Sequence, residues 1–392
     1  MNEPTAFDWP AGRRWQRPLL IAGLVAAALC GLAALIDVEQ LLRSYLFAYV
    51  SWLGISVGSL GLWMLHNLTG GAWGLALRRI WEAATRTLPL LAGLFVPIAL
   101  GAHVLFPWAS AQGSELGAKA DYLNVPFFLA RAAFYFFIWI GMAFLLNRWS
   151  AAHDRTADPA LVARARNLSG PGLVVCALTV TFAAVDWMMS LEPEWYSTIF
   201  GALVGTGHLL AALAFTIAVA TWLVPLAPKP PSPARPEEQR DTWNDLGNLL
   251  LTFVMLWTYM AFSQFLLIWS GNLPEEITWY LHRTEGGWQW IGLSLAVAYF
   301  ALPFCVLLSH GVKRDPDTLR VVAILIVVMS VVNDYWLIAP AFSPGRLHVH
   351  WTDPVAFVAI GGLWLAFFLR QLEARPIVPA HPQLIEEELR HA

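Results

Sequence analysis

The sequence predicts an all-α membrane protein of about ten transmembrane helices, eight of them gathered into two four-helix bundles. Three observations carry this reading. Hydrophobic residues make up 58% of the 392 positions and charged residues only 13%, against about 25% charged in an ordinary soluble domain. Ten apolar runs approach the roughly 20 residues a helix needs to cross a bilayer. Lys and Arg fall almost wholly in alternate connections between those runs. The mean hydropathy is +0.56, and 21 Trp and 22 Phe suit a chain with aromatic belts at two membrane interfaces. The net charge of −3 offers nothing to nucleic acid.

The first run, "PLLIAGLVAAALCGLAALI", follows Arg13, Arg14 and Arg17 as a signal peptide would. It is too long for a usual signal core, and Leu29 rather than a small residue precedes Cys30. It is therefore expected to stay as the first span. The ten runs cover about 18–37, 44–66, 87–107, 125–148, 171–190, 197–225, 247–270, 287–309, 319–340 and 354–371. The Pro-rich, charged stretch "PLAPKPPSPARPEEQRDTWND" reads as an extended linker, and "IEEELRHA" as a short surface helix in the tail. The expected organisation is an N-terminal segment (1–17), a first span (18–43), bundle one (44–196), and bundle two (197–340, with a linker at 226–246). An outer loop and last span (341–371) and a tail (372–392) complete it.

Of the 24 basic residues, 19 lie on the side of the N-terminus. The opposite connections hold Arg43, Lys119, Arg283 and Arg346, and Arg131 falls inside span 4. By the positive-inside rule both termini are expected to be cytoplasmic, as in a multi-pass protein of a bacterial inner membrane. The opposite loops are acidic and Trp-rich, with Glu115, Asp121, Glu192, Glu194, Glu275, Glu276, Glu285 and Asp353. They read either as docking surface for an extracytoplasmic partner or as ordinary exposed loops.

A weak internal echo is visible. Span 5 ends "AVDWMMSLEPEW" and span 9 ends "VVNDYWLIAPAF"; span 3 ends "GAHVLFPW" and span 7 ends "FSQFLLIW". A shift of four spans preserves orientation, so the expectation is a parallel repeat of spans 2–5 and 6–9 flanked by spans 1 and 10.

Ionisable residues inside lipid are costly and usually paired or functional. His103, Arg131 and Asp186 are expected at one depth in the outer half of bundle one. They would form either a structural ion pair or a polar pocket exchanging protons with a quinone headgroup. In bundle two, Asp334 has no basic residue at its depth, and His208 lies roughly 16 Å below the outer face at 1.5 Å per residue. These two read as a proton relay or as hydrogen-bonded helix glue. Glu192 and Glu194 are candidate exits from the bundle-one pocket to the outer water. No metal centre is expected. Cys30, Cys176 and Cys305 stand alone, so neither a cluster nor a structural zinc has its ligands. His103 and His208 differ by roughly 8 Å in depth, against a bis-histidine haem, and covalent haem lacks its C-x-x-C-H.

The segment "FAAVDWMMSLEPEWYSTIFG", with ten spans in two bundles, resembles the NrfD/polysulfide-reductase-type membrane subunits. Together with "TYMAFSQFLLIWSGNLPEEITWYLHR" it looks like the second such subunit of bacterial alternative complex III, a quinol:acceptor oxidoreductase. The resemblance implies a paralogous ten-span subunit, an iron–sulfur protein, a multihaem cytochrome c and small membrane-anchored subunits as partners. Haem and iron–sulfur clusters would then sit on those partners, and a quinone (menaquinone or ubiquinone) would be the only small molecule at issue here. In that family the paralogous subunit is the better candidate for the quinol site. A secondary transporter and an inert scaffold are the competing functions; the absence of paired mid-span Gly/Pro breaks disfavours the transporter.

Overall fold

The computed structural model describes residues 10–110, 117–223 and 236–375. Lys229, Arg235, Arg390, Glu115 and the tail segment "IEEELRHA" lie outside the described residues. Every regular element among the described residues is helical. Among the described residues ten helices are long and apolar enough to cross a membrane: Arg14–Ile36, Val38–Thr69, Leu77–Leu100, Val125–Thr156, Pro159–Leu191, Phe200–Leu223, Asp241–Gly271, Trp288–Leu307, Pro316–Ala341 and Thr352–Glu373. They are numbered spans 1 to 10.

Local sequence sets several starts. Asp37 accepts the backbone N–H of Gln40 at 2.9 Å ahead of span 2. Asn124 accepts that of Phe127 at 3.0 Å ahead of span 4. Asp158 and Asp315 cap spans 5 and 9 in the same way, each followed by a proline at the first helical position.

Span 2 is the axis of the protein, and its most apolar stretch is wholly buried. Spans 2, 3, 4 and 5 pack together on one side of it; spans 6, 7, 8 and 9 form the second group. Spans 2 and 6 join the two groups. Gly54 and Gly58, four residues apart, let span 6 approach closely. A Cβ at Gly58 would lie 2.2 Å from the His208 carbonyl oxygen, and one at Gly54 would lie 2.4 Å from the His208 ring. Span 1 packs on span 10 through a second glycine crossing, with Gly23 and Gly362 backbone to backbone.

Contacts sort the residues into two ends. At one end Arg79 meets Asp154 at 2.8 Å, Arg375 meets Glu82 at 3.0 Å, and Lys313 donates to Asn248 at 2.7 Å. At the other, Lys119 donates to the Pro193 carbonyl at 2.6 Å and Arg283 meets Glu192 at 2.8 Å. There Gly286, at φ +60°, lies so close to the carbonyl of Gly345 that no Cβ fits. The Leu347 N–H donates back to the Gly286 oxygen at 2.8 Å, stitching two loops.

Three boundaries differ from the sequence expectation. Span 3 runs over Leu77–Leu100 rather than 87–107, so Arg78, Arg79, Glu82 and Arg86 lie inside it. They are tolerated because they pair with one another and with spans 4 and 10. Spans 4 and 5 continue as helix to Thr156 and from Pro159, well beyond their apolar cores. The helix carrying span 7 begins at Pro236, so the second half of the expected extended linker is helical; residues 224–235 lie outside the described residues.

Candidate functional site

Arg131 and Asp186 meet as the sequence suggests. Arg131 donates through Nε to Asp186 Oδ2 at 2.9 Å and through Nη2 to Oδ1 at 2.8 Å, a two-point ion pair. The third Arg131 nitrogen donates to the Tyr122 carbonyl at 2.9 Å. Tyr122 and Phe127 flank the guanidinium, their ring centroids 3.8 and 4.3 Å from its carbon. Asp186 is fully buried, and it also accepts the Tyr135 hydroxyl at 2.8 Å. Burial, reinforced by the neighbouring Asp186 charge, raises the pKa of Tyr122 in the adjoining loop. The carboxylate thus has three donors, and the guanidinium has its own acceptors and two aromatic walls.

His103 does not join this group. It is exposed, on a short helix (Ala102–Leu105) that follows a break at Gly101, and its Nδ1 lies 3.0 Å from the Ala109 carbonyl. Among the described residues no hydrogen bond or ion pair links it to Arg131 or Asp186. Of the three side chains expected to share a pocket, the structure brings together Arg131 and Asp186, whose polar atoms satisfy one another, and leaves His103 apart from them.

Glu192 has a partner that the sequence did not suggest. Arg283, almost fully buried in the helix Pro274–Thr284, donates to Glu192 Oε1 at 2.8 Å, and His282 Nδ1 lies 3.1 Å from Oε2. The same guanidinium donates to the carbonyls of Leu337 at 2.9 Å and Trp336 at 3.3 Å, at the end of span 9. It also covers the Trp279 ring at 3.7 Å. Burial pulls its pKa down to about 10 while the Glu192 charge holds it up, so it stays charged at neutral pH. Arg283 is a latch tying the end of span 5 and the end of span 9 to the helix between spans 7 and 8. Glu194 is exposed beyond it.

Asp334 and His208 are buried in spans 9 and 6, and both lie beside span 2, near Ser51 and Gly54 respectively. Asp334, in span 9, is within hydrogen-bonding reach of Ser51 on span 2 and interacts electrostatically with Tyr299. Tyr299 belongs to a π-helical segment of span 8 (Leu295–Ala301), an irregularity that appears frequently at functional sites. Its ring centroid is 4.4 Å from that of Trp257 on span 7. Trp257 lies beside Gly207, next in sequence to His208. The Tyr299 hydroxyl, Trp257 Nε1 and both His208 ring nitrogens are buried and have no hydrogen-bonding partner among the described residues. His208 also lines a cavity of about 20 Å³ with Leu53, Trp139, Ala184 and Val204, space for about one water.

A third cluster went unread in the sequence. Glu82, buried in span 3, meets Arg78 at 3.0 Å, Arg79 at 2.8 Å and Arg375 at 3.0 Å, and accepts the Ser150 hydroxyl. Arg86 donates to Asn147 Oδ1 at 2.8 Å. Arg78 and Arg79 stand four and three residues before Glu82, the spacing of paired charges on a helix, and that was the available signal. Among the described residues no group of three or more His, Cys, Asp or Glu side chains is arranged to hold a metal ion.

These features define a polytopic integral membrane protein with an ionic cluster at each end and buried polar side chains, Asp334, Tyr299 and His208, in spans 9, 8 and 6. No protein-family model matches the chain, and no curated protein matches it.

Proposed function

We propose that the chain is the second NrfD-type membrane subunit of a respiratory or photosynthetic quinol:acceptor oxidoreductase, and that it contributes a proton path and scaffolding rather than the quinol site. The observation that supports a proton path is the burial of Asp334, Tyr299 and His208 in spans 9, 8 and 6, where the Tyr299 hydroxyl and both His208 ring nitrogens have no hydrogen-bonding partner among the described residues. A carboxyl, a phenol and an imidazole are side chains that exchange protons. The family part of the reading rests on "VDWMMSLEPEWYSTIFG" and "TYMAFSQFLLIWSGNLPEEITWYLHR". The closed geometry of Arg131 and Asp186 favours quinol oxidation on the paralogous subunit. The iron–sulfur protein and multihaem cytochrome c would dock on the acidic end, where Trp269, Trp290 and Trp351 are exposed.

The test is Asp334→Asn in the assembled complex. The amide preserves the side-chain volume and can still hydrogen-bond, so assembly should be normal. Proton translocation in proteoliposomes should fall by at least about ten-fold, the lower end of what losing a proton-transferring group costs being larger still. An unchanged proton yield and turnover would leave the chain as scaffold alone.

Orientation has its own test. With both termini in a bacterial cytoplasm, reporter fusions after residue 235 should read cytoplasmic and fusions at Glu276 external. The reverse pattern would invert every assignment of the acidic end to the outside.

A further inference from the structure

The arginine-rich end contains a cavity of about 610 Å³ that none of the groups above explains. It lies between the end of span 2, the Gly70–Gly71 turn, the end of span 4 and the start of span 5. Its volume is that of a small-molecule site. Its lining divides by chemistry. Trp63, Leu146, Trp149, Leu161 and Val162 form an apolar wall, and Val162 is 41% exposed at the surface. The polar part holds Arg78, Arg166, His66, Asn67, Ser150 and His153. No Asp or Glu lines the cavity. Glu82 stands behind Arg78 and Ser150 and fixes both. Arg166 is exposed and makes no ion pair among the described residues.

We infer that this cavity is a binding site for the phosphate headgroup of an anionic phospholipid. Two arginines facing a space without a carboxylate call for an anion, and the amides, imidazoles and hydroxyl around them supply further hydrogen-bonding groups. A neutral quinone carbonyl would bring no negative charge to a cavity where Arg166 has no ion-pair partner among the described residues and Arg78 shares Glu82 with Arg79 and Arg375. A free phosphate would leave the tryptophan and leucine wall without an occupant. A phospholipid satisfies both parts, with its headgroup on the arginines and the start of its acyl chains along the wall. The depth agrees, because the cavity lies where membrane-spanning helices end, at the level of lipid headgroups. Basic pockets between such helices are where anionic lipid headgroups bind. The lipid would bridge spans 2, 4 and 5 beside the Glu82 cluster.

The full-length protein, delipidated in a neutral detergent, would be titrated separately with phosphatidylglycerol and phosphatidylcholine, and the bound lipid counted by native mass spectrometry. One phosphatidylglycerol per chain should be retained, and phosphatidylcholine should bind about five-fold more weakly or less. Arg166→Gln, which breaks no ion pair, should weaken phosphatidylglycerol by about the same factor. Val162→Trp, which fills the cavity from its exposed edge, should abolish retention of either lipid while the protein melts at the parent's temperature. Equal binding of the two lipids would overturn the inference. So would phosphatidylglycerol binding unaltered in both variants, or displacement of the lipid by inorganic phosphate alone, which would mark a free-anion site.

Discussion

Glu82→Gln should be among the most destabilising single changes that leave side-chain size intact. Glu82 is about 1% exposed, and it is the common partner of Arg78, Arg79 and Arg375. A neutral amide in its place would leave three guanidinium groups gathered around a site with no negative charge. Arg79 would keep Asp154 at 2.8 Å, but Arg78 and Arg375 would lose the Glu82 carboxylate. Removing one member of a buried ion pair typically costs about 3–5 kcal/mol, because the charge left behind stays desolvated. Arg375 follows the last span, so its release would also free the C-terminal end of that helix. The measurement is thermal unfolding in detergent, with limited trypsin digestion after Arg370, in the last turn of that helix, as a local probe. Asp154→Asn is the control. Its carboxylate is 19% exposed, and water would replace part of what is lost, so about 1 kcal/mol is expected. Equal melting temperatures for the two variants would mean that water reaches Glu82 and that the cluster is an ordinary surface network.

How much of this was visible beforehand depended on whether partners were close in sequence or in depth. The ten spans were legible because each apolar run is bounded by charges or turn residues, and alternation of the basic residues checked the count. Arg131 and Asp186 were legible because orientation placed both near the same membrane face. His103 was placed with them by the same arithmetic and stands apart in the structure. Its span starts ten residues earlier than its charges suggested, and the helix breaks at Gly101, so a depth counted along one straight helix does not apply. The Glu82 cluster was read as loop because four charges within nine residues look incompatible with a span. Their mutual pairing, and Arg375 some 293 residues away, removes that objection only in three dimensions. Arg283 shows the same limit: it sits 91 residues from Glu192, and no local pattern joins them. Tyr299 and Trp257 were passed over as membrane aromatics. What distinguishes them is a missing hydrogen-bond partner, a property of packing that composition does not record.

The Arg131–Asp186 pair should behave as a structural unit in a double-mutant cycle. Asp186→Asn leaves a buried guanidinium facing a neutral amide. Arg131→Gln leaves a fully buried carboxylate with only the Tyr135 hydroxyl at 2.8 Å. Each single change is expected to cost about 3–5 kcal/mol. The double change leaves no uncompensated charge and two amides able to hydrogen-bond, so its cost should fall well below the sum, with a coupling of about 1–3 kcal/mol. The functional half of the experiment is sharper. In the assembled complex the double variant should oxidise quinol at close to the parent rate, because every polar atom of the pair is turned toward another protein group. Proton translocation should likewise persist if the path runs through Asp334 in the other bundle. Suppose the double variant assembles, melts near the parent temperature and yet fails to oxidise quinol. The pair would then be part of the chemistry after all, its closed geometry would be a resting state that opens for a headgroup, and the division of labour between the two ten-span subunits would have to be reversed.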